Sequence, residues 1–133
     1  MATAKKILLV DDDPDIREVL TMILESKGYQ TVAATDGLEC LAALRAENPD
    51  LVILDLLMPK MDGFAVLKEL HEEKWAQYKG MPILILSSIR EGASRRRWEL
   101  ETALEFDIDD YIEKPIEPDT LLERVSRLLN QKK

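Results

Sequence analysis

The sequence predicts an α/β protein, a three-layer αβα sandwich built from five βα units around a five-stranded parallel sheet. Two patterns predict it. Four short runs, Ile7 to Val10, Thr31 to Ala34, Leu51 to Leu54 and Ile83 to Leu86, are almost wholly apolar. Unbroken rather than alternating apolarity marks strands covered on both faces. Between these runs the spacing changes to that of amphipathic helices, so strand and helix alternate along the whole chain.

Taken in order, the first strand is followed by a helix in which Ile16, Val19, Leu20, Ile23 and Leu24 share one face. Pro14 suits its first turn and Gly28 its C-terminal cap. The second strand leads to a helix over about Leu38 to Glu47, and the third to one over Phe64 to Trp75. The fourth strand leads to a helix over Ser94 to Glu105. A weaker fifth strand, centred on Tyr111 and Ile112, leads to a helix over Pro118 to Asn130, with Leu121, Leu122, Val125, Leu128 and Leu129 on one face. Right-handed crossovers between successive strands give the layered sandwich.

At 133 residues, 46% hydrophobic and 33% charged, the chain has the size and balance of one globular domain. That domain is expected over 5–130, with 1–4 and 131–133 as loose ends. The net charge of −8 argues against direct nucleic acid binding. Arg95, Arg96 and Arg97 form the local exception, read as a solvated helix face, with docking of an acidic partner as the alternative. Trp98 beside them either anchors a partner or packs on the domain.

The single cysteine, Cys40, excludes an internal disulfide. No apolar run reaches the length of a membrane span or a secretory leader, so a cytoplasmic location away from the membrane is expected.

Chemistry enters through where the charged residues fall. Asp11, Asp12 and Asp13 follow the first strand, Asp55 the third, Ser87 the fourth, and Lys114 the fifth. Carboxyl ends of parallel strands share one edge, and sites form there where strand order reverses. If strands one and three are neighbours, Asp11, Asp12 and Asp55 converge. Three carboxylates in a small volume repel, and a hard divalent cation resolves the conflict. Magnesium, an ammonium and a hydroxyl around one carboxylate suit stabilisation of a transferring phosphoryl group. His71, the one histidine, is read as a boundary residue, and no partner set supports a triad on Cys40.

Four blocks in this order, ILLVDDDPDIRE, LVILDLLMPKMDG, PILILSS and DDYIEKP, together resemble the receiver domains of two-component response regulators, chemotaxis regulators among them. The resemblance implies a flavodoxin-like (βα)5 fold with strand order 2-1-3-4-5. It implies Asp55 as phosphoacceptor, and Asp11, Asp12, Asp55 and the Leu57 backbone carbonyl as the magnesium ligands. Ser87 and Lys114 would engage the phosphoryl group, and Ser87 and Tyr111 would act as the switch. Pro115 resembles a proline whose preceding peptide bond is usually cis. The implied partners are a sensor histidine kinase or histidine phosphotransfer protein and an unidentified downstream protein, reached through the fourth helix, fifth strand and fifth helix. A monomer or a phosphorylation-dependent dimer is expected.

Three departures from the pattern stand out. The interval from Ser87 to Lys114 is longer than usual, Asp107 stands where glycine is usual, and Leu57 and Ile89 offer no polar group to orient an attacking water. The last implies slow autodephosphorylation. Rival readings are a haloacid-dehalogenase-type phosphatase, whose nucleophile needs an acid two residues on where Asp55 has Leu57, and a receiver that is never phosphorylated. A nucleotide binder of the same fold class would need a Gly-rich loop after the first strand.

Overall fold

The computed structural model describes residues 4–56, 58, 60–87 and 108–131. The helix expected over Ser94 to Glu105, with Arg95, Arg96, Arg97 and Trp98, and also Leu57, Ile89 and Asp107, lie outside the described residues. Five strands, β1 (Lys6–Val10), β2 (Gln30–Ala34), β3 (Leu51–Asp55), β4 (Ile83–Ser87) and β5 (Asp110–Glu113), form one parallel sheet in the order β2-β1-β3-β4-β5. This is the expected order.

The unbroken apolarity of the strands has its cause in two cores. Leu8, Val10, Val52, Leu54 and Ile85 point to one face and pack under α2 (Gly37–Glu47) and α3 (Gly63–Leu70). Ile7, Leu9, Leu51, Ile53, Leu84 and Leu86 point to the other, under α1 (Pro14–Glu25) and α4 (Pro118–Gln131), the fifth helix of the sequence reading. Each fully buried leucine or isoleucine contributes about 1.5–3 kcal/mol.

Helix ends follow their local chemistry. Pro14 is the first residue of α1, and Asp13 caps it by accepting from the Asp15 N–H at 2.9 Å. Gly28 takes the left-handed φ of 87° that the chain needs beyond the helix. On α1 only Leu20 and Leu24 are fully buried; Val19, expected on the apolar face, is 45% exposed. Asp36 caps α2 by accepting from the Glu39 N–H at 2.9 Å, and Glu39 in return accepts from the Thr35 N–H at 2.8 Å.

One helix is shorter than expected. α3 stops at Leu70, and Trp75 sits in a separate 3-10 turn, Glu73–Tyr78. His71, Glu72, Glu73 and Lys74 are all exposed, so no packing rewards continuing the helix through them. Trp75 still enters the core. Its indole N–H donates to Glu69 at 2.8 Å, and the Arg45 guanidinium lies 4.2 Å over its ring. The indole N–H and, after it, the Lys74 ammonium hold the Glu69 carboxyl below its ordinary range.

Cys40 is fully buried in α2, and burial pushes its thiol up to about 12. Because the folded value is the raised one, the stability this thiol contributes is present at neutral pH and is lost as the pH climbs toward 12. Labelling by a thiol reagent at pH 8 is expected to be slow in the native protein and to go to completion in denaturant. Fast native labelling would contradict the packing. No helix among the described residues is long and apolar enough to cross a membrane.

Candidate functional site

The sheet register assembles the site before any side chain is considered. Val10 of β1 pairs with Leu54 of β3, Asp55 with Leu86 of β4, and Ser87 with Glu113 of β5. Asp11, Asp55, Ser87 and Lys114 therefore end one row at the carboxyl edge. β1 lies between β2 and β3, so the reversal of strand order sits beside Asp11.

The acids do converge. One carboxylate oxygen from each of Asp11, Asp12 and Asp55 lies within 4.8 Å of the others. Asp11 is 0% and Asp55 4% exposed, while Asp12 is exposed. Lys114 reaches over them, its Nζ 3.1 Å from Asp11 Oδ2 and 3.6 Å from Asp55 Oδ2. The Lys114–Pro115 peptide bond is cis, as the proline suggested. Ser87 takes its place through the backbone as the last residue of β4.

Tyr111 is 38% exposed on β5. It lines a cleft of about 480 Å³ with Glu113, Thr120, Arg124 and Arg127. Asp110, on the same strand, is bound by both arginines, at 3.0 Å by Arg124.

A divalent cation fits this donor set. Hard carboxylate oxygens are its preferred ligands, and among the described residues three acids converge beneath the Lys114 ammonium. Asp11 Oδ1 is satisfied by the Asp13 N–H at 3.0 Å, but Oδ2 is buried and receives no hydrogen bond from the described residues. The ammonium at 3.1 Å offers charge without hydrogen-bond geometry, which leaves that oxygen's lone pairs for another cation. The backbone carbonyl of Leu57 lies outside the described residues.

Two neighbours of the site were not singled out from the sequence. Arg17 of α1 donates from Nη1 to the Asp11 carbonyl at 2.8 Å. Gly63, the first residue of α3, backs directly onto Asp55. A Cβ added there would stand 2.5 Å from the Asp55 carbonyl oxygen and 2.7 Å from Leu56 Cα. Both opposing atoms are backbone, so the acidic strand end itself would have to shift. Gly63→Ala is expected to cost about 1–3 kcal/mol. A urea midpoint equal to that of the unaltered protein would show that the strand end yields freely.

Comparison with known proteins follows the same blocks. The family model described as "Response regulator receiver domain" matches residues 7–126. The chain is 41% identical over 127 residues to "Probable transcriptional regulator ycf27" of Cyanophora paradoxa, covering 96% of this chain and 49% of that protein. It is 37% identical to "DNA-binding response regulator MtrA" of Mycolicibacterium smegmatis, covering 96% and 51%. Among solved structures, chemotaxis protein CheY4 of Vibrio cholerae superposes with a TM-score of 0.81 at 31% identity, covering 95% and 99%. The chain thus spans about half the length of the curated relatives it matches. A relative described as DNA-binding lends no support to the expectation that nucleic acid is not a partner.

Proposed function

The chain belongs to the response regulator receiver domain family, and from that premise we propose that Asp55 is its phosphoacceptor, working in a magnesium site with Asp11 and Asp12. Receiver domains exchange signals with histidine kinases and downstream effectors. The matches do not favour the dehalogenase-type or never-phosphorylated readings. The observation that carries the proposal is the convergence of Asp11, Asp12 and Asp55 beneath Lys114 at the switch point of the sheet.

An oxygen of the Asp55 carboxylate attacks phosphorus of a phosphohistidine, the N–P bond breaks, and the imidazole leaves with the electron pair. An acyl phosphate results, which water later hydrolyses. A bound magnesium ion would neutralise charge on the phosphoryl oxygens and offset the repulsion among the acids. Asp11 and Asp12 supply its oxygens, Asp11 from a fixed and buried position and Asp12 from an exposed one. The Leu57 carbonyl is proposed as a further ligand.

Lys114, already between Asp11 and Asp55, transfers its pairing to the new phosphoryl oxygens. Ser87 supplies the hydroxyl. Phosphorylation adds close to two negative charges, and the rearrangement of Ser87 and Tyr111 passes that change to the β5 and α4 face. We read the domain, over 5–130, as a cytoplasmic signalling phosphoacceptor rather than an enzyme. Its kinase or phosphotransfer partner supplies the phosphoryl group, and its output partner binds the switched face. With a net charge of −8, this chain is a poor surface for DNA.

Incubation with acetyl phosphate and magnesium tests the proposal: a mass gain of about 80 Da, the mass of one phosphoryl group, is expected and should vanish with chelator. No gain would sink it. Leu57 and Ile89 give water no polar guide, so the label is expected to outlast that of fast chemotaxis-type regulators once donor is removed. Prompt loss in a mass time course would contradict this.

A further inference from the structure

Asp11 is tied down at every polar atom but one. Its N–H donates to the Ala34 carbonyl of β2 at 3.2 Å, and its Oδ1 accepts from the Asp13 N–H at 3.0 Å. Its carbonyl accepts from Arg17 Nη1 at 2.8 Å. Among the described residues only Oδ2, beside Lys114, finds no hydrogen-bond donor. The carbonyl contact is the unusual one. The pairing of β1 with β2 and with β3 ends at Val10, so the Asp11 carbonyl lies beyond the last ladder partner. A buried carbonyl left there needs a donor from elsewhere, and the first turns of the following helix send one back.

Arg17 grips this turn twice. Its backbone N–H donates to the Asp13 carbonyl at 3.1 Å, and its side chain donates to the Asp11 carbonyl. Two carbonyls of the acidic segment are thereby fixed to one partly buried residue. Arg17 also differs from Lys114 in what it leaves open. Lys114 sits against carboxylate oxygens, where it competes with any other cation. The side chain of Arg17 donates to main chain, so it brings positive charge to three acids without taking a carboxylate oxygen.

We propose that Arg17 is a positioning residue for the divalent cation: by holding the Asp11 carbonyl it locks the turn after β1 in the shape that presents Asp11 and Asp12 as ligands. The inference rests on the reading of Asp11, Asp12 and Asp55 as that cation's site. It predicts an effect on cation affinity rather than on the phosphoryl step, because Arg17 acts on the ligands and not on Asp55. The rigid, forked guanidinium holds a carbonyl at a distance and angle that an ammonium reproduces only in part.

The test is titration calorimetry with magnesium chloride on the whole chain and on Arg17→Ala and Arg17→Lys, each checked for fold by circular dichroism. Labelling by acetyl phosphate is measured alongside over a range of magnesium concentrations. Arg17→Ala is expected to weaken magnesium binding about tenfold or more, as loss of an outer partner does at other metal sites. Half-saturating magnesium for labelling should rise with it, while the plateau rate stays within about twofold.

Arg17→Lys should recover part of the affinity. If Arg17→Ala does not fold, Arg17→Lys carries the comparison, with an affinity about threefold below the unaltered protein expected from its single-point donor. Unchanged affinity in the folded variants, or a lower plateau at an unchanged half-saturation, would overturn the inference. An unaltered protein that itself neither binds magnesium nor takes label would overturn the site reading, and this inference with it. That outcome is recognisable because the control is silent.

Discussion

Asp55→Asn is expected to abolish the mass gain of about 80 Da from acetyl phosphate while leaving the fold intact. Asparagine keeps the shape of the side chain but replaces an anionic oxygen with an amide nitrogen, which is no nucleophile toward phosphorus. Neither Asp11 nor Asp12 should substitute for it. Asp11 Oδ1 is held by the Asp13 N–H, and Asp12 is the exposed member of the group.

The same variant carries a second expectation, on stability. In the absence of a divalent ion Asp55 faces two carboxylates and one ammonium, all within a few ångströms. Neutralising Asp55 removes its repulsion with those two acids, so it should stabilise the protein in chelator by about 1–2 kcal/mol. Magnesium should reverse the ranking. A ligand at one hundred times its dissociation constant stabilises the unaltered protein by about 2.7 kcal/mol, and most of that gain should be missing in Asp55→Asn. Urea denaturation of both proteins, with magnesium and with chelator, reads all four values. Continued labelling of Asp55→Asn would remove Asp55 from its role. Loss of labelling with no magnesium-dependent difference in stability would separate the nucleophile from the metal site.

β1, β3 and β4 could be read from the sequence almost to the residue, because a strand buried on both faces leaves an unbroken apolar run with a turn at each end, whereas β2 and β5 are edge strands and only partly covered. Asp11, Asp12 and Asp55 were equally visible, since they follow such runs directly, and Lys114 stands just past the weaker fifth strand, where parallel strands bring their ends together. What could not be read depends on contacts between segments distant in the chain. The stop of α3 at Leu70 reflects a stretch with nothing to pack on, followed by a tryptophan that reaches the core from a tighter turn.

Val19 has the spacing of a core residue, but the cover over β1 and β3 is completed by α4, whose Leu121 and Val125 are fully buried. Arg17 lay in plain view within the first motif. Its role depends on a carbonyl left without a strand partner, and periodicity carries no trace of that. Gly63 was likewise the last letter of a motif, and only the backbone of Asp55 behind it explains why no side chain fits there.

Lys114→Met is expected to produce the other large effect, with opposite signs in two measurements. The ammonium is 17% exposed on its side chain and pairs with two carboxylates that are almost wholly buried. Removing one partner of a buried ion pair typically costs about 3–5 kcal/mol, and the residual access of water here places the loss nearer about 2–3 kcal/mol. For a domain of this size that is a fall in melting temperature of roughly 6–15 °C in chelator. Methionine keeps most of the stem's packing, so the loss measures charge rather than a cavity.

Cation binding should move the other way. Lys114 occupies space beside the oxygens that a divalent ion needs, and taking away a positive charge so close to them should tighten magnesium binding by about tenfold or more. Magnesium should therefore restore much of the lost stability. Yet the phosphorylated variant would lack the cation that follows the new phosphoryl oxygens, so a signal read at Tyr111 on β5 should no longer track phosphorylation. If Lys114→Met melts like the unaltered protein in chelator and binds magnesium no more tightly, the lysine is a spectator to the acids, and the electrostatic account of the pocket fails at its centre.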